Sequence, residues 1–335
     1  EQTTAKKNKY EIDMCNGTIM DKLISFSLPL MLSGILQLMF NAVDIIVVGR
    51  FSGSQALAAV GSTSALINVF TNLFIGISLG ANVLTARFYA AGREKEVSET
   101  VHTAITLALV SGIIMALVGL VFSKGALALM GTPDDVIGLS ALYMRIYFLG
   151  MPFFMLYNYG AAILRAVGDT KRPLLFLMIA GVINACLNMV LVIVFKLGVA
   201  GVAIATVISQ MISCVLVLRC LCRSESSYRL RFSELGMKGY YLKQIFSVGV
   251  PAGIQSTVIN FSNVLLQSSV NSFGSTAMAG YTAANNLLGF LYVSVNSITQ
   301  ACMSFTSQNY GAGDYRRIKK IAMISVVTGV VTKSF

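Results

Sequence analysis

Charge is what this sequence has least of. Only 12% of its 335 residues are charged, against 56% hydrophobic, whereas a water-soluble domain carries about 25% charged residues. A surface so short of charge cannot be wetted on every side. That excludes an ordinary soluble globule and makes lipid the solvent. Histidine is nearly missing as well: His102 stands alone, beside a loop, and is expected to be a helix-end residue rather than a proton relay. The six cysteines (Cys15, Cys186, Cys214, Cys220, Cys222, Cys302) lack metal spacing, since Cys220-x-Cys222 is too close for a standard zinc pair. They are expected to be unpaired and structural. No secretory signal is apparent: residues 1–22 are polar and of mixed charge, and the first apolar run has no small-residue cleavage site.

Long apolar runs are what the sequence has in abundance. A helix that crosses a bilayer needs about 20 mostly apolar residues. Such runs occupy residues 24–49, 56–86, 98–122, 137–163, 173–195, 199–220, 244–272, 277–305 and 318–332, predicting nine spans. Turn residues mark the breaks: Phe51-Ser52-Gly53, Ala91-Gly92-Arg93, Gly131-Thr132-Pro133-Asp134, Gly168-Asp169 and Leu197-Gly198.

The net charge of +11 suggests nucleic acid until the basic residues are located. With the N-terminus placed in the cytoplasm, all but five of the 25 Lys and Arg residues fall on the inside. The five outside are Arg50, Lys124, Arg145, Lys196 and Lys333. This alternation is the positive-inside rule, so the charge reports topology and no nucleic-acid partner is expected. The expected location is the cell membrane, multi-pass.

An internal repeat is present. SFSLPL at 25–30 returns as SVGVPA at 247–252, SGSQALA at 52–58 as FGSTAMA at 273–279, and TARFYAAG at 85–92 as TSQNYGAG at 306–313. Six spans separate the copies, so both start on the same side, as parallel repeats do in transporters. The expected organisation is a cytoplasmic segment 1–22, an N-lobe 23–221 with six helices, a basic linker 222–242 and a partial C-lobe 243–335 with about three helices. The repeat of about 221 residues implies two lobes of about 440. The chain is therefore expected to be a fragment, or short of three helices. The closing Lys333-Ser-Phe335 is not expected to continue the ninth helix.

Of the 14 acidic residues, only Asp44 lies deep in a span. An intramembrane carboxylate is costly and marks ion pathways; the bland alternative is a structural hydrogen-bonding acid. Ser33, Gln37, Asn41 and Asp44 share one face of its helix. Asn184 and Asn188 are one turn apart on the fifth helix, as are Thr206 and Gln210 on the sixth. Oxygens from Asp44, Asn184, Asn188 and Thr206 can bind a hard cation such as Na⁺, or organise a proton. These polar stripes read equally as glue between helices. The seventh helix carries Ser256, Asn260, Asn263, Gln267 and Asn271 and no acid, so ion coupling is expected in the first lobe. Tyr143, Tyr147, Met151, Phe154 and Tyr157 offer aromatic and thioether surface to a flat organic cation, or pack as ordinary core. Asn260, Asn263 and Gln267 are further substrate candidates. Pro29 and Pro251 begin corresponding spans, as hinges or as plain helix starts.

The run Pro29-Leu-Met-Leu-Ser-Gly-Ile-Leu-Gln-Leu-Met-Phe-Asn-Ala-Val-Asp44-Ile-Ile-Val-Val-Gly49 resembles the first helix of the MATE (multidrug and toxic compound extrusion) family. So do Ala56-Leu-Ala-Ala-Val-Gly61, the Gly-Asp-Thr-Lys-Arg-Pro run at 168–173, and Gly201-Val-Ala-Ile-Ala-Thr206. The resemblance implies an all-α polytopic membrane protein with a parallel-repeat two-lobe transporter fold. It implies a monomer when full length, with no cofactor. It also implies efflux of an organic cation or amphipathic drug in exchange for H⁺ or Na⁺, and no enzymatic activity. The family's coupling acid corresponds to Asp44, and its partners to Asn184, Asn188 and Thr206. Many members carry Asp where this chain has Asn188, a lost charge that favours H⁺ over Na⁺. Two rivals remain at this stage: a transport-dead fragment or scaffold, and a lipid-linked oligosaccharide flippase. The flippase would want positive charge for a pyrophosphate, and the single intramembrane charge here is negative.

Overall fold

The computed structural model describes residues 10–271 and 275–334, leaving out side chains at 62, 65, 69, 333 and 334 and most of those between 260 and 287. The chain is all helix among these residues. In order the elements are α1 (Ile19–Phe51), α2 (Ser54–Ala90), α3 (Glu94–Leu129), α4 (Asp134–Leu149), α5 (Met151–Ala166), α6 (Lys171–Asn188), α7 (Gly198–Cys222), α8 (Gly239–Asn271), α9 (Ser275–Gly311) and α10 (Tyr315–Ser334). The last helix thus runs to Ser334, through the segment expected to leave it.

Five helical stretches are long and apolar enough to cross a membrane: α1, α2, α3, α6 with its following turn, and α7. The pair α4 and α5 makes a sixth span, bent by 47°. The sequence predicted a single span there, over 137–163. Gly150 caps the end of α4, and Pro152 stands at the start of α5, where its missing N–H breaks the ladder. Among the described residues α8, α9 and α10 do not meet the same test, because polar side chains dilute them. Beyond Asn188, α6 widens into a π-helical turn, Met189–Val194, a feature found frequently at functional sites.

Pro29 and Pro251 lie inside α1 and α8 rather than at their starts. Each leaves the carbonyl four residues earlier without its helical donor, an interior weak point in both lobes.

The first lobe is built from α1–α7, with Phe148, Met155, Tyr159 and Val202 in its core. The second lobe meets it across a close helix crossing. Gly76 and Gly80 of α2 face Gly253 and Gly249 of α8, and a Cβ on any of them would overlap opposing backbone. Small residues at this spacing let membrane helices touch. Gly76-Ile-Ser-Leu-Gly80 formally matches a hydrolase nucleophile motif, but Ser78 donates to the Ile75 carbonyl within the helix (2.6 Å). It is not on the strand-to-helix elbow that such chemistry needs. Among the described residues, further contacts join the lobes near the C-terminal end of α2. Phe26 meets Phe305 edge-on at 5.6 Å, Arg87 covers the Tyr310 ring at 4.9 Å, and Asn82 bridges Ser304 Oγ (3.1 Å) and the Ala162 carbonyl (2.8 Å).

Residues 10–17 run across this end as a strap. Glu11 accepts from Tyr89 (2.9 Å) and Tyr228 (2.7 Å) of the first lobe and its linker. Ile12 N–H donates to the Gly168 carbonyl (3.2 Å). Gly168, at φ +100°, has Ile12 backbone where a Cβ would stand. Met14 is fully buried beside Phe26, Phe305 and Ile321. Asn309 donates to its carbonyl (3.1 Å), and Arg317 donates to the carbonyls of Asn16 (3.1 Å) and Gly17 (2.8 Å). The strap is therefore bonded to both lobes.

His102 is buried along α3 and pins the interlobe linker. Its Nε2 accepts the Arg231 N–H (3.0 Å), so Nδ1 carries the hydrogen and donates to the Ser98 carbonyl (2.6 Å). Lys238 N–H donates to Thr103 Oγ1 (3.4 Å) and its ammonium pairs with Glu99. Arg231 donates to Glu234 (2.8 Å), and this bond holds the Glu234 carboxyl below its ordinary value.

At the α5–α6 turn, Asp169 is buried, caps α6 through the Arg172 N–H (3.1 Å) and pairs with the Arg172 guanidinium. That guanidinium also reaches Cys220 Sγ (3.1 Å) and lies over the Tyr10 ring. Burial pushes the Asp169 carboxyl up, and Arg172 pulls it back. Removing one member of such a pair strands the other. Asp169→Ala is therefore expected to cost about 3 kcal/mol. An unchanged melting temperature of the purified variant in detergent would refute this role.

Candidate functional site

The first lobe holds a cavity of about 340 Å³ whose walls, among the described residues, come from α1, α2, α4, α5, α6 and α7. Asp44 lies on its wall, projected from α1. Asn188 Nδ2 donates to Asp44 Oδ1, and also reaches Asn184 Oδ1 at 3.2 Å. Asn184 Nδ2 in turn reaches Thr206 Oγ1 at 3.5 Å, and Thr206 donates to the Val202 carbonyl at 3.0 Å. Four residues from three helices thus form one chain of hydrogen bonds ending on a carboxylate. Asn188 Oδ1 is buried and accepts no hydrogen bond, which leaves an oxygen free beside Asp44. Asn188 is also the last residue before the π-helical turn.

Gln37, Asn41, Tyr143, Tyr147, Phe154 and Tyr157 line the same cavity. Tyr143 and Tyr147 stack at 6.1 Å with their planes 30° apart. Tyr157 donates to the Pro173 carbonyl at 3.1 Å. Met151 does not line it: it is fully buried at the α4–α5 bend, where its carbonyl and Pro152 pack against Gly112 of α3. Ser33, on the same face as Asp44, donates to the Pro29 carbonyl instead (2.8 Å). Asn260, Asn263 and Gln267 lie on α8, and their side chains fall outside the described residues.

The sequence reading passed over part of the wall. Asn68, Thr71 and Asn72 enter from α2, Asn158 from α5, and Ser209 and Ser213 from α7. A signal was present, since Asn68 and Asn72 stand one helical turn apart inside an apolar run. Among the described residues no Lys, Arg or His lines the cavity. Among the described residues no cluster of three His, Cys, Asp or Glu is placed to hold a metal ion. The site therefore offers one carboxylate, several neutral oxygens and an aromatic wall.

Residues 29–190 and 251–334 match the MatE family. The "Probable multidrug resistance protein YoeA" of Bacillus subtilis (strain 168) is 35% identical over 310 residues, which is 90% of this chain and 66% of that protein. The "Probable multidrug resistance protein YpnP" of the same strain is 29% identical over 307 residues, 91% of this chain and 68% of that protein. The chain thus spans about two thirds of the length of these relatives. A solved structure titled "Outward-facing conformation of a multidrug resistance MATE family transporter of the MOP superfamily" superposes with a TM-score of 0.89 at 21% identity, covering 98% of this chain and 73% of that one.

Proposed function

Because this chain belongs to the MatE family, we propose that it exports an amphipathic organic cation from the cell in exchange for protons, with Asp44 as the coupling residue. The observation that carries this reading is the single carboxylate in the cavity, held by neutral hydrogen-bond donors with no cation beside it. Protonation removes the charge of Asp44 from that wall and turns its bond from Asn188 from charge-assisted to neutral, which is weaker. Drug and proton then compete for one acid, and competition is the basis of exchange. The Asn at position 188 supports H⁺ over Na⁺, since a sodium site gains from a second carboxylate. The location of most Lys and Arg at the strap end supports a cytoplasmic N-terminus.

Among the described residues the lobes touch on the strap side, while Gln37, Asn41 and Asn68 are exposed. This supports a state closed toward the cytoplasm and open outward. Transport then requires those contacts to part, with the lobes rocking about the cavity.

The energetics bound the pump. One pH unit supplies about 1.4 kcal/mol per proton, and 100 mV about 2.3 kcal/mol per charge. One proton sustains a gradient of several hundredfold for a neutral compound, from about 3.7 kcal/mol. For a monovalent cation the electrical contributions cancel, leaving about tenfold per pH unit.

The test is ethidium efflux from cells expressing this full chain, driven by an imposed pH step at constant sodium, then by a sodium step at constant pH. The pH step is expected to accelerate efflux and the sodium step to leave it flat. Efflux driven by sodium alone would remove the proton assignment. No response to either, with the protein in the membrane, would remove the exporter reading.

A further inference from the structure

We propose that, among cations of equal charge, this cavity prefers those that also carry several neutral hydrogen-bonding groups, such as a polyhydroxylated amine, over purely hydrocarbon ones. The inference rests on the reading of the Asp44 cavity as the transport site and names its substrate class. It starts from the disposition of the carboxamides. Two of those lining the cavity are spent inside the protein: Asn158 donates to the Phe154 carbonyl (2.8 Å) and Asn184 to Thr206 (3.5 Å). Four others, Gln37 and Asn41 on α1 and Asn68 and Asn72 on α2, make no hydrogen bond among the described residues. Within each helix the two are one turn apart, so both helices present a pair of amides to the cavity. Gln210 Oε1, on the α7 side, is buried and accepts no hydrogen bond.

Each carboxamide has a donor pair and an acceptor, which matches the alternating donor and acceptor of neighbouring hydroxyls. An apolar occupant would strip water from these groups and return nothing. A site built to hydrogen-bond its substrate rejects the analogue that lacks the bonding groups. The stacked Tyr143 and Tyr147 supply one flat wall for the carbon face of such a ligand. Asp44 supplies one negative charge, which fits a monocation. Among the described residues the wall has no basic side chain to pair with a phosphate or carboxylate. A volume of about 340 Å³ holds one small-molecule ligand.

The test uses two amines of the same charge and the same carbon count, N-hexylglucamine and dihexylamine, which differ by five hydroxyls. Binding to the purified full chain is measured by titration calorimetry, with ethidium as a third ligand. N-hexylglucamine is expected to bind at least tenfold tighter than dihexylamine. In Asn72→Leu and, separately, Asn41→Leu that preference is expected to narrow to less than threefold. Dihexylamine binding as tightly as N-hexylglucamine to the parent chain would overturn the proposal whatever the variants do. So would a preference that survives in both variants. Asp44→Asn separates the layers. Ethidium binding that depends on Asp44, with neither amine bound, leaves the transport site standing and removes this substrate class. If no cation binds in an Asp44-dependent way, the site reading fails and the proposal falls with it.

Discussion

Asp44→Asn is expected to abolish uphill export, so that cells expressing the variant hold ethidium at the level of cells without the protein. The substitution keeps size and shape. The carboxamide oxygen it introduces still accepts from the Asn188 amide, so the chain of bonds through Asn184 to Thr206 has its acceptor. What vanishes is the charge and the proton that can neutralise it. Without a titrating group, a pH gradient has no differential hold on the two states of the transporter, and a gradient shifts an equilibrium only by such a difference. The about tenfold concentration ratio that one pH unit supports for a monovalent cation should fall to one. Efflux is read from dye-loaded cells with membrane levels checked by blotting. Variant and parent pumping equally well would remove Asp44 from the mechanism. Asp44→Glu, which keeps the charge one methylene further out, should retain part of the activity.

The second large effect is expected at Gly80. A Cβ there would overlap the Ile245 carbonyl and crowd the Gly249 nitrogen. Backbone atoms of two packed helices cannot rotate aside as a side chain does, so Gly80→Val must hold the lobes apart at the strap end. Transport should fall more than tenfold while the protein still inserts. Cys15 reports the opening directly, because it lies on the strap with its Sγ near Gln308 of α9 (3.9 Å). Its modification by a membrane-permeant maleimide should accelerate at least tenfold in Gly80→Val, with Cys15→Ser identifying the labelled site. Parent-like efflux together with parent-like labelling would show that this crossing does not close the path.

The spans and the Asp44 face were legible because both are local. Apolar runs of 20 residues and a polar stripe at helical spacing need no tertiary information. The α4–α5 bend was not, although Gly150 and Pro152 are plain to see, because the hydropathy continues unbroken through them. Pro29 and Pro251 were read as near the start of spans. The helices begin earlier because their first turns, including Asp21 and Lys22 in α1, are polar enough to have been counted as loop. Asn68 and Asn72 gain meaning only once α2 faces α1 across a cavity. Met151 has the chemistry of a pocket residue, and the bend turns it into the core. His102 looks like a helix-end residue until Arg231, 129 positions away, is found on its ring.

The strap carries a consequence for biogenesis. Met14 and Asn16 settle against α9 and α10, with partners 295 and 301 positions later in the chain. At roughly 5–20 residues per second, a ribosome needs roughly 15–60 s to supply those partners. The strap is therefore made long before it can find its place, and until then Met14 is an apolar side chain without a seat. Its docking is a late assembly event that reports, in one step, that α9 and α10 have been made and have met the first lobe.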